Sequence, residues 1–290
     1  MTLRYRVVDV FTEIALEGNA LAVFYEGQEL EPELMQRIAR ELNLSETTFL
    51  TSPTREDCAA RVRIFTPARE LSFAGHPTIG SAYVARERGV IPEDMLAFSL
   101  EEPVGAVAVR VEDGLIWLET PPISRVGECD RAACARALDL REWDLLPDVP
   151  PQVYSAGNPM LFVAVTDRET VDRASVDPAV LGEIEEAIGE SVGLFVFAPT
   201  RAGAYSRMFA PELGIVEDPA TGGATGPLAA YMMAHDLCPK TDGSSFASEQ
   251  GTKMGRRSLL QVRIRGEAGS EGIDVGGRVA PVIDATLTLP

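Results

Sequence analysis

The sequence predicts an α+β fold made of two similar halves, and three observations support this prediction. Many short segments alternate apolar and polar residues as strands do, whereas few segments have helical spacing. Four landmarks recur in the same order in the two halves. In each half a glycine-rich turn leads into a helix that is apolar or small on most of its faces, which indicates that a mixed sheet surrounds this helix.

The predicted elements of the first half follow one another along the chain. YRVVDVF alternates like a strand, and a Gly-Asn turn leads from it to a second strand. Leu34, Ile38 and Leu42 then have the spacing of an amphipathic helix. The strands TTFLTS and ARVRIF come next, followed by the helix that starts in GHPTIGSAYVARERG. The segment FSLEEPVGAVAVRVEDGLIWLET supplies the strands that close this half.

The second half repeats the landmarks of the first, which indicates an internal duplication. The matching segments are GNALAVF and GNPMLFV from Gly18 and Gly157, SETTFLTSP and SVGLFVFAP from Ser45 and Ser191, RIFTP and RMFAP from Arg63 and Arg207, and the single residues Gly80 and Gly226. We place the first repeat at residues 1–122 and the second at residues 123–277. The turn-rich segment 121–128 marks the boundary, and residues 278–290 are a candidate extra strand of the first repeat.

The composition argues against several classes of function. The chain has 290 residues and a formal net charge of −18, which is a poor match for nucleic acid or an anionic membrane surface. Lys240 and Lys253 are the only lysines, which disfavours a catalytic Schiff base. The four cysteines form no CxxC pair and the two histidines are far apart in sequence, so no zinc motif is present. Without a signal-peptide pattern or a long apolar run, we expect a cytoplasmic protein with reduced thiols.

The two glycine-rich turns are candidates for binding an anion. A turn of this kind that opens a helix presents unpaired backbone N–H groups and the positive end of the helix dipole, so it can bind a carboxylate without a lysine. The alternative is that the glycines only permit close packing of the backbone. GHPTIG lacks the ending of a phosphate-binding P-loop, and neither turn matches the dinucleotide-binding fingerprint.

Titratable residues that occur in only one repeat are candidates for chemistry, because residues kept in both repeats are expected to serve the fold. Glu46 corresponds to Val192, His76 has no counterpart, and Asp218 stands where the first repeat has Ser72 or Phe73. All three are able to handle protons. A half-buried carboxyl at Glu46, between apolar neighbours, would have its ionised form disfavoured, as a general acid or base requires.

Each of these three residues also has a plain structural alternative. His76 could lie in a surface loop. Glu46 could be a solvated residue at the start of a helix, with Ser45 as the N-cap. Asp218 could cap the helix that follows its turn.

Several motifs together resemble the PhzF-like (phenazine biosynthesis F) isomerase family. They are LSETTFL, RIFTPARELSFAGHPTIGSAYV, GNPMLFV, GIVEDPATGGATGPLAAYM and EQGTKMGRRS, and they extend along essentially the whole chain. The resemblance implies the fold of diaminopimelate epimerase, in which two similar domains hold the active site in a cleft between them. It also implies isomerisation of a small anionic metabolite by proton transfer, with neither cofactor nor metal, in a homodimer.

The resemblance also implies a role for each matching residue. Glu46, in the SET motif, would be the catalytic residue that moves the proton. The substrate-binding residues would be Ser45, Gly75, His76, Asp218, Thr221, Gly222 and Gly223. The chain departs from the family pattern at two turns. Many members have a serine where this chain has Gly223, a change that bears on substrate choice and on activity, and many have proline where this chain has Ala20.

The sequence leaves three functions open. The first is an isomerase in which Glu46 takes a proton from one carbon and returns it to another. The second is a racemase, epimerase or lyase on the same scaffold, with Glu46 and Asp218 as opposed bases; a racemase with two thiols is disfavoured because Ala74 and Ala220 or Thr221 stand near the relevant positions. The third is a non-catalytic protein that binds a small acid.

Overall fold

The computed structural model describes residues 1–27, 30–266 and 272–289. The chain divides into two compact units. The first comprises Met1–Glu119 together with Gly276–Pro290, and the second comprises Thr120–Val275. No helix in the part of the chain that the structure describes is long and apolar enough to cross a membrane.

The first unit is a mixed sheet with two α-helices among its described residues. Its elements are β1 (Thr2–Val10), β2 (Asn19–Phe24), α1 (Pro32–Leu42), β3 (Glu46–Thr51), β4 (Ala60–Phe65), β5 (Glu70–Leu71), α2 (Gly75–Glu87), β6 (Ala97–Glu102), β7 (Gly105–Glu112), β8 (Leu115–Glu119) and the last strand β18 (Val279–Thr288). The strand order is β18-β1-β2-β3-β4-β6-β7-β8, and β5 pairs with β4. The β2–β3 and β4–β6 pairs are parallel and the others are antiparallel.

The sheet of the first unit curls round α2. This helix packs against β1, β2, β3 and β4, and also against β8 and β18 at the two ends of the strand order. Gly80 makes this close packing possible, since a Cβ at this position would lie 2.5 Å from Leu21 and 3.0 Å from Val10. The amphipathic α1 packs on β3 and β4 with Met35, Ile38 and Ala39 buried.

The second unit contains the same kind of sheet, with four α-helices among its described residues. Its elements are β9 (Ser124–Glu128), α3 (Arg131–Ala137), β10 (Gln152–Ser155), β11 (Pro159–Ala164), α4 (Arg168–Arg173), α5 (Pro178–Ile188), β12 (Gly193–Thr200), β13 (Gly203–Ala210), β14 (Ile215–Asp218), α6 (Gly222–Ala234), β15 (Ser245–Gln250), β16 (Ser258–Arg265) and β17 (Gly272–Gly277), whose last two residues belong to the first unit. The paired strands run β9-β10-β11-β12-β13-β15-β16, and β14 pairs with β13. The segment 121–128, which the sequence marked as a turn-rich boundary, contains β9.

The strand pairings of the two units match step by step. The parallel pairs β2–β3 and β4–β6 correspond to β11–β12 and β13–β15, and β9 pairs with β10 as β18 pairs with β1. The central helix α6 packs against β10, β11 and β16 of its own sheet. The predicted α+β class, with two similar mixed sheets that each surround a helix, is confirmed.

An ion pair recurs at the same place in both sheets. Arg63 on β4 makes two hydrogen bonds of 2.8 Å to Glu70, and Arg207 on β13 makes two, of 2.9 and 2.7 Å, to Glu217. Each arginine also stacks over a phenylalanine two residues further along its strand. A bidentate pair of this kind fixes a short strand against its neighbour, which explains why both repeats contain it.

Candidate active site

Glu46 begins β3 of the first unit. Its backbone lies beside Leu21 in the parallel β2–β3 pair, and its side chain is 13 % exposed. The preceding Ser45 is partly buried in the bend that leads into the strand. Because Glu46 lies in a strand, the alternative in which it caps a helix is wrong.

His76 is the second residue of α2 and is buried. The helix begins at Gly75, with Ala74 as the N-cap residue, and His76 is 5 % exposed. The surface-loop alternative is therefore wrong. Burial lowers the pKa of His76 to about 3, because the imidazolium would lose its solvation. The side chain is accordingly a neutral imidazole at physiological pH.

The structure brings Glu46 and His76 together. Oε2 of Glu46 lies 3.2 Å from Nε2 of His76. A carboxylate so close to the imidazole would favour its protonated form, but burial has the larger effect and keeps the ring neutral. A neutral imidazole in contact with a carboxyl group can orient that group while it gains or loses a proton.

The first turn of α2 also supplies backbone donors. Gly75 is its first residue and is buried. The N–H groups of the first turn of a helix have no acceptor within the helix, so they are available to an anion.

Asp218 is the last residue of β14 in the second unit. It lies opposite Met208 in the β13–β14 pair and is 8 % exposed. Its Oδ2 accepts a short hydrogen bond from the hydroxyl of Thr221, the N-cap residue of α6. Asp218 and Thr221 are thus fixed as a pair at the start of this helix.

Gln250, at the end of β15, forms hydrogen bonds to the turn between β14 and α6. Its Nε2 donates to the carbonyl of Asp218 at 2.7 Å and to the hydroxyl of Thr221 at 3.0 Å, while its Oε1 accepts from the N–H of Thr221 at 3.1 Å. Gln250 is fully buried. A buried amide whose oxygen and nitrogen both form hydrogen bonds holds its partners in one geometry.

Gly222 and Gly223 form the first turn of α6. Gly222 is buried and Gly223 is partly exposed. A Cβ built on Gly223 would meet no described atom within 4 Å, so the space beside this residue is open. The N-cap residues Ala74 and Thr221 of the two central helices carry no thiol.

The strand registers refine the correspondence between the repeats. Glu46 lies beside Leu21 as Gly193 lies beside Met160, so the counterpart of Glu46 is Gly193 and the predicted Val192 is one residue off. His76 corresponds to Gly223, the second residue of the equivalent helix, so the predicted match of Gly80 with Gly226 is one residue off.

The counterpart of Asp218 in the first repeat also differs from the predicted one. Asp218 pairs with Met208 on β13, and Leu71 pairs with Ile64 on β4, so Leu71 takes the place of the predicted Ser72 or Phe73. In all three cases the titratable side chain belongs to one repeat only.

Sequence reasoning did not assign a role to three residues that hold these turns. They are Gln250, Glu102 at the end of β6, and Thr78 in the first turn of α2. The duplication contained a signal for Gln250 and Glu102, because the segment EEP (residues 101–103) of the first repeat corresponds to the segment EQG (residues 249–251) of the second repeat. The pairings Arg61–Glu101 and Tyr205–Glu249 establish that these two segments correspond.

Comparisons with known proteins agree on one family. The sequence model of the phenazine biosynthesis-like proteins (PhzC-PhzF) matches residues 8–285. A trans-2,3-dihydro-3-hydroxyanthranilate isomerase of Pseudomonas fluorescens is 34% identical over 276 residues, which cover 91% of each chain. A predicted epimerase of Pseudomonas aeruginosa superposes with a TM-score of 0.83 at 32% identity, over 99% of this chain and 100% of that one. A PhzF-family protein of Bacillus anthracis superposes with a TM-score of 0.90 at 24% identity and full coverage of both chains.

Proposed function

We propose that this chain, which belongs to the phenazine biosynthesis-like protein family and is an isomerase, moves a proton between two carbons of a small carboxylate-bearing metabolite. Glu46 is the general acid and base of this reaction. The observation that supports the proposal is the contact of 3.2 Å between its carboxyl group and the buried, neutral His76, both of which occur in one repeat only.

The proposed reaction needs one carboxyl group. Glu46 begins as a carboxylate and takes a proton from one carbon, which leaves the electron pair delocalised in the substrate. The resulting carboxylic acid then returns the same proton to a second carbon. The proton count of the enzyme is unchanged over the cycle, and no oxidation or reduction occurs, so the chemistry requires no redox cofactor.

His76 positions the carboxyl group of Glu46 in this proposal. A neutral ring takes no proton from the substrate at neutral pH, since its pKa of about 3 makes it a very weak base. With its hydrogen on Nε2, the neutral ring can donate toward Oε2 of Glu46 both in the carboxylate and when Oε1 carries the proton. The proton carrier is thus the glutamate and not the histidine.

The turn of the second unit is suited to binding the substrate. The N–H groups of Gly222 and Gly223 would receive the substrate carboxylate, because they lie at the positive end of α6. Asp218 would repel that carboxylate and is better suited to accept a hydrogen bond from a hydroxyl or amino group. Ser45 and Gly75 keep the binding roles that the family resemblance implies.

Gly223 bears on the choice of substrate. Because a Cβ there would meet no described atom, a serine at this position would add a hydroxyl without displacing its neighbours. The glycine therefore leaves room for a larger substituent of the substrate.

The homodimer that the resemblance implies stays a prediction, which light scattering in solution would test.

An epimerase is the second candidate. The buried carboxyl of Asp218 favours it, because an epimerase needs a second group that can handle a proton. The relative of Pseudomonas aeruginosa is described as a predicted epimerase. Reaction in D₂O separates the two, since an epimerase places deuterium on the carbon that lost its proton and inverts it, whereas the isomerase places the hydrogen on a different carbon.

Turnover of a named compound tests the proposed function. The protein, stripped with a chelator, is incubated with trans-2,3-dihydro-3-hydroxyanthranilate, the compound in the name of the Pseudomonas fluorescens relative, and with other small unsaturated acids. The expected result is a shifted double bond in at least one acid, with no added cofactor. Turnover that appears only after a metal or a redox cofactor is added would contradict the proposal.

A further inference from the structure

Glu102 is a second buried carboxyl group near the helix that carries His76. It ends β6 and is 3 % exposed. Its Oε1 lies 2.6 Å from the hydroxyl of Thr78, in the first turn of α2. Its Oε2 is buried and has no hydrogen-bond partner among the described residues. The proposed proton transfer does not use this group.

The hydroxyl of Thr78 has two oxygen neighbours but only one hydrogen. Its Oγ1 lies 2.8 Å from the carbonyl of Ala74 and 2.6 Å from Glu102. The carbonyl can only accept, so Thr78 must donate to it if that contact is a hydrogen bond. The contact to Glu102 then needs a hydrogen on the carboxyl group, because two oxygen atoms at 2.6 Å without a hydrogen between them repel each other.

The second repeat supports this assignment of the hydrogens. The hydroxyl of Thr225 donates to the carbonyl of Thr221 at 3.0 Å, which is the same bond to the N-cap carbonyl that Thr78 can make. The residue that corresponds to Glu102 is Gln250, an uncharged donor that engages the helix start through its Nε2. A protonated Glu102 would be the closest carboxyl equivalent of that amide.

Among the residues that the structure describes, no cation acts on Glu102 to favour a carboxylate. Burial raises the pKa of Glu102 to about 8, and this rise outweighs the lowering that a bond donated by the Thr78 hydroxyl would cause. Gly105 lies opposite Glu102 on β7. The charged groups on the neighbouring strands face one another instead, as Arg61 faces Glu101 at 3.7 Å and Arg63 faces Glu70 at 2.8 Å.

We propose that Glu102 is a protonated, uncharged carboxylic acid that donates a hydrogen bond to Thr78 and so fixes the first turn of α2, which carries His76. Glu102 is a positioning residue, since it acts on the site through Thr78 and this turn. Its protonation state does not depend on the proposed function, whereas its effect on His76 and Glu46 rests on that function. Ionisation would leave a buried charge that no described cation offsets, and it would break the bond to Thr78.

Infrared difference spectroscopy tests the protonation directly. The C=O stretch of a protonated carboxyl group lies at higher frequency than the stretches of a carboxylate. Wild type at pD 7 is compared with Glu102→Gln, and the matched control is Glu101→Gln, whose carboxylate accepts hydrogen bonds from Thr54 and Arg55. We expect a protonated carboxyl band that is lost in Glu102→Gln and kept in Glu101→Gln. A band that survives in Glu102→Gln, or that is absent from wild type, would overturn the proposal.

A second variant keeps the test decisive if Glu102→Gln does not fold. Thr78→Val has nearly the same shape but lacks the hydroxyl, so the band should shift in frequency because the acid has lost its acceptor. An unchanged band in Thr78→Val would refute the bond to Thr78. Both spectra are recorded without substrate, so a negative result here is distinct from a failure to find turnover.

The pH dependence of stability gives an independent readout. The raised pKa means that the folded protein keeps a proton that the unfolded chain loses above about pH 4.5. The contribution of Glu102 to stability is therefore complete below that pH and is lost as pH rises through about 8. Between these values the unfolding constant of wild type relative to Glu102→Gln should rise ~tenfold per pH unit. A ratio that stays constant with pH would contradict a protonated Glu102.

Discussion

Replacing His76 with glutamine should make the stability of the protein less sensitive to acid. His76 is buried and its pKa falls to about 3, whereas a histidine in an unfolded chain has a pKa of about 6.5. The folded protein therefore keeps the ring neutral over a pH range in which the unfolded chain binds a proton. The contribution of His76 to stability is complete above about pH 6.5 and is lost as pH falls toward 3.

The size of this effect follows from the difference between the two pKa values. Each pH unit corresponds to ~1.4 kcal/mol, so a difference of about 3.5 units corresponds to at most ~5 kcal/mol over the whole range. The ring is buried, so the surrounding water screens little of this energy. Glutamine is uncharged at every pH and lacks this dependence, while its amide can still reach toward Glu46.

Urea unfolding of the two proteins between pH 4 and 8 measures the difference. The free energy of unfolding of wild type relative to His76→Gln should fall by ~1.4 kcal/mol per pH unit between about pH 6 and 4. In parallel, the Cε1 proton of His76 should not shift above pH 4 in NMR spectra, and His235→Gln identifies which of the two histidine signals belongs to His76. A midpoint between pH 6 and 7 for His76, or a pH-independent difference in stability, would refute the neutral ring.

Three further variants test the packing of the second unit. Gln250→Leu should destabilise the protein by ~1–3 kcal/mol in urea unfolding, because it removes a fully buried amide and leaves the partly buried N–H of Thr221 without its acceptor; a loss under ~0.5 kcal/mol would argue against the bonded turn. Gly203→Ala should destabilise by more than ~2 kcal/mol, since its Cβ would lie 2.2 Å from the carbonyl oxygen of Ala247 at a positive φ. Gly182→Ala, within α5, meets no described atom and should raise stability by up to ~1 kcal/mol, so equal melting temperatures for the two alanine variants would contradict the packing argument.

The duplication made most of the fold predictable from sequence. Segments that recur in order indicate a repeated unit, and each unit buries its own helix because the glycine turn and the apolar helix come together in both. What sequence reasoning missed was the register, as the shift from Val192 to Gly193 illustrates. Registers depend on hydrogen bonds between strands, and a landmark alignment can slip by one residue at a turn without any change in pattern.

The candidate site was predictable in part. The asymmetry between the repeats singled out Glu46 and His76, and their contact could not be read from the sequence because it joins a strand to a helix 30 residues away. Glu102 and Gln250 were missed because an acidic residue and an amide at a strand end resemble surface residues. Only the paired strands reveal that both face the start of a buried helix.

The proton carried by Glu46 is the central claim, and an isotope experiment tests it most directly. Wild type, Glu46→Gln and the surface control Glu41→Gln are incubated in D₂O with an acid that wild type converts, and NMR follows turnover and deuterium at each carbon. Glu46→Gln should lose at least ~10²-fold in rate together with exchange at carbon, because the amide cannot accept the proton, while Glu41→Gln should match wild type. Full turnover and undiminished exchange in Glu46→Gln would contradict the account.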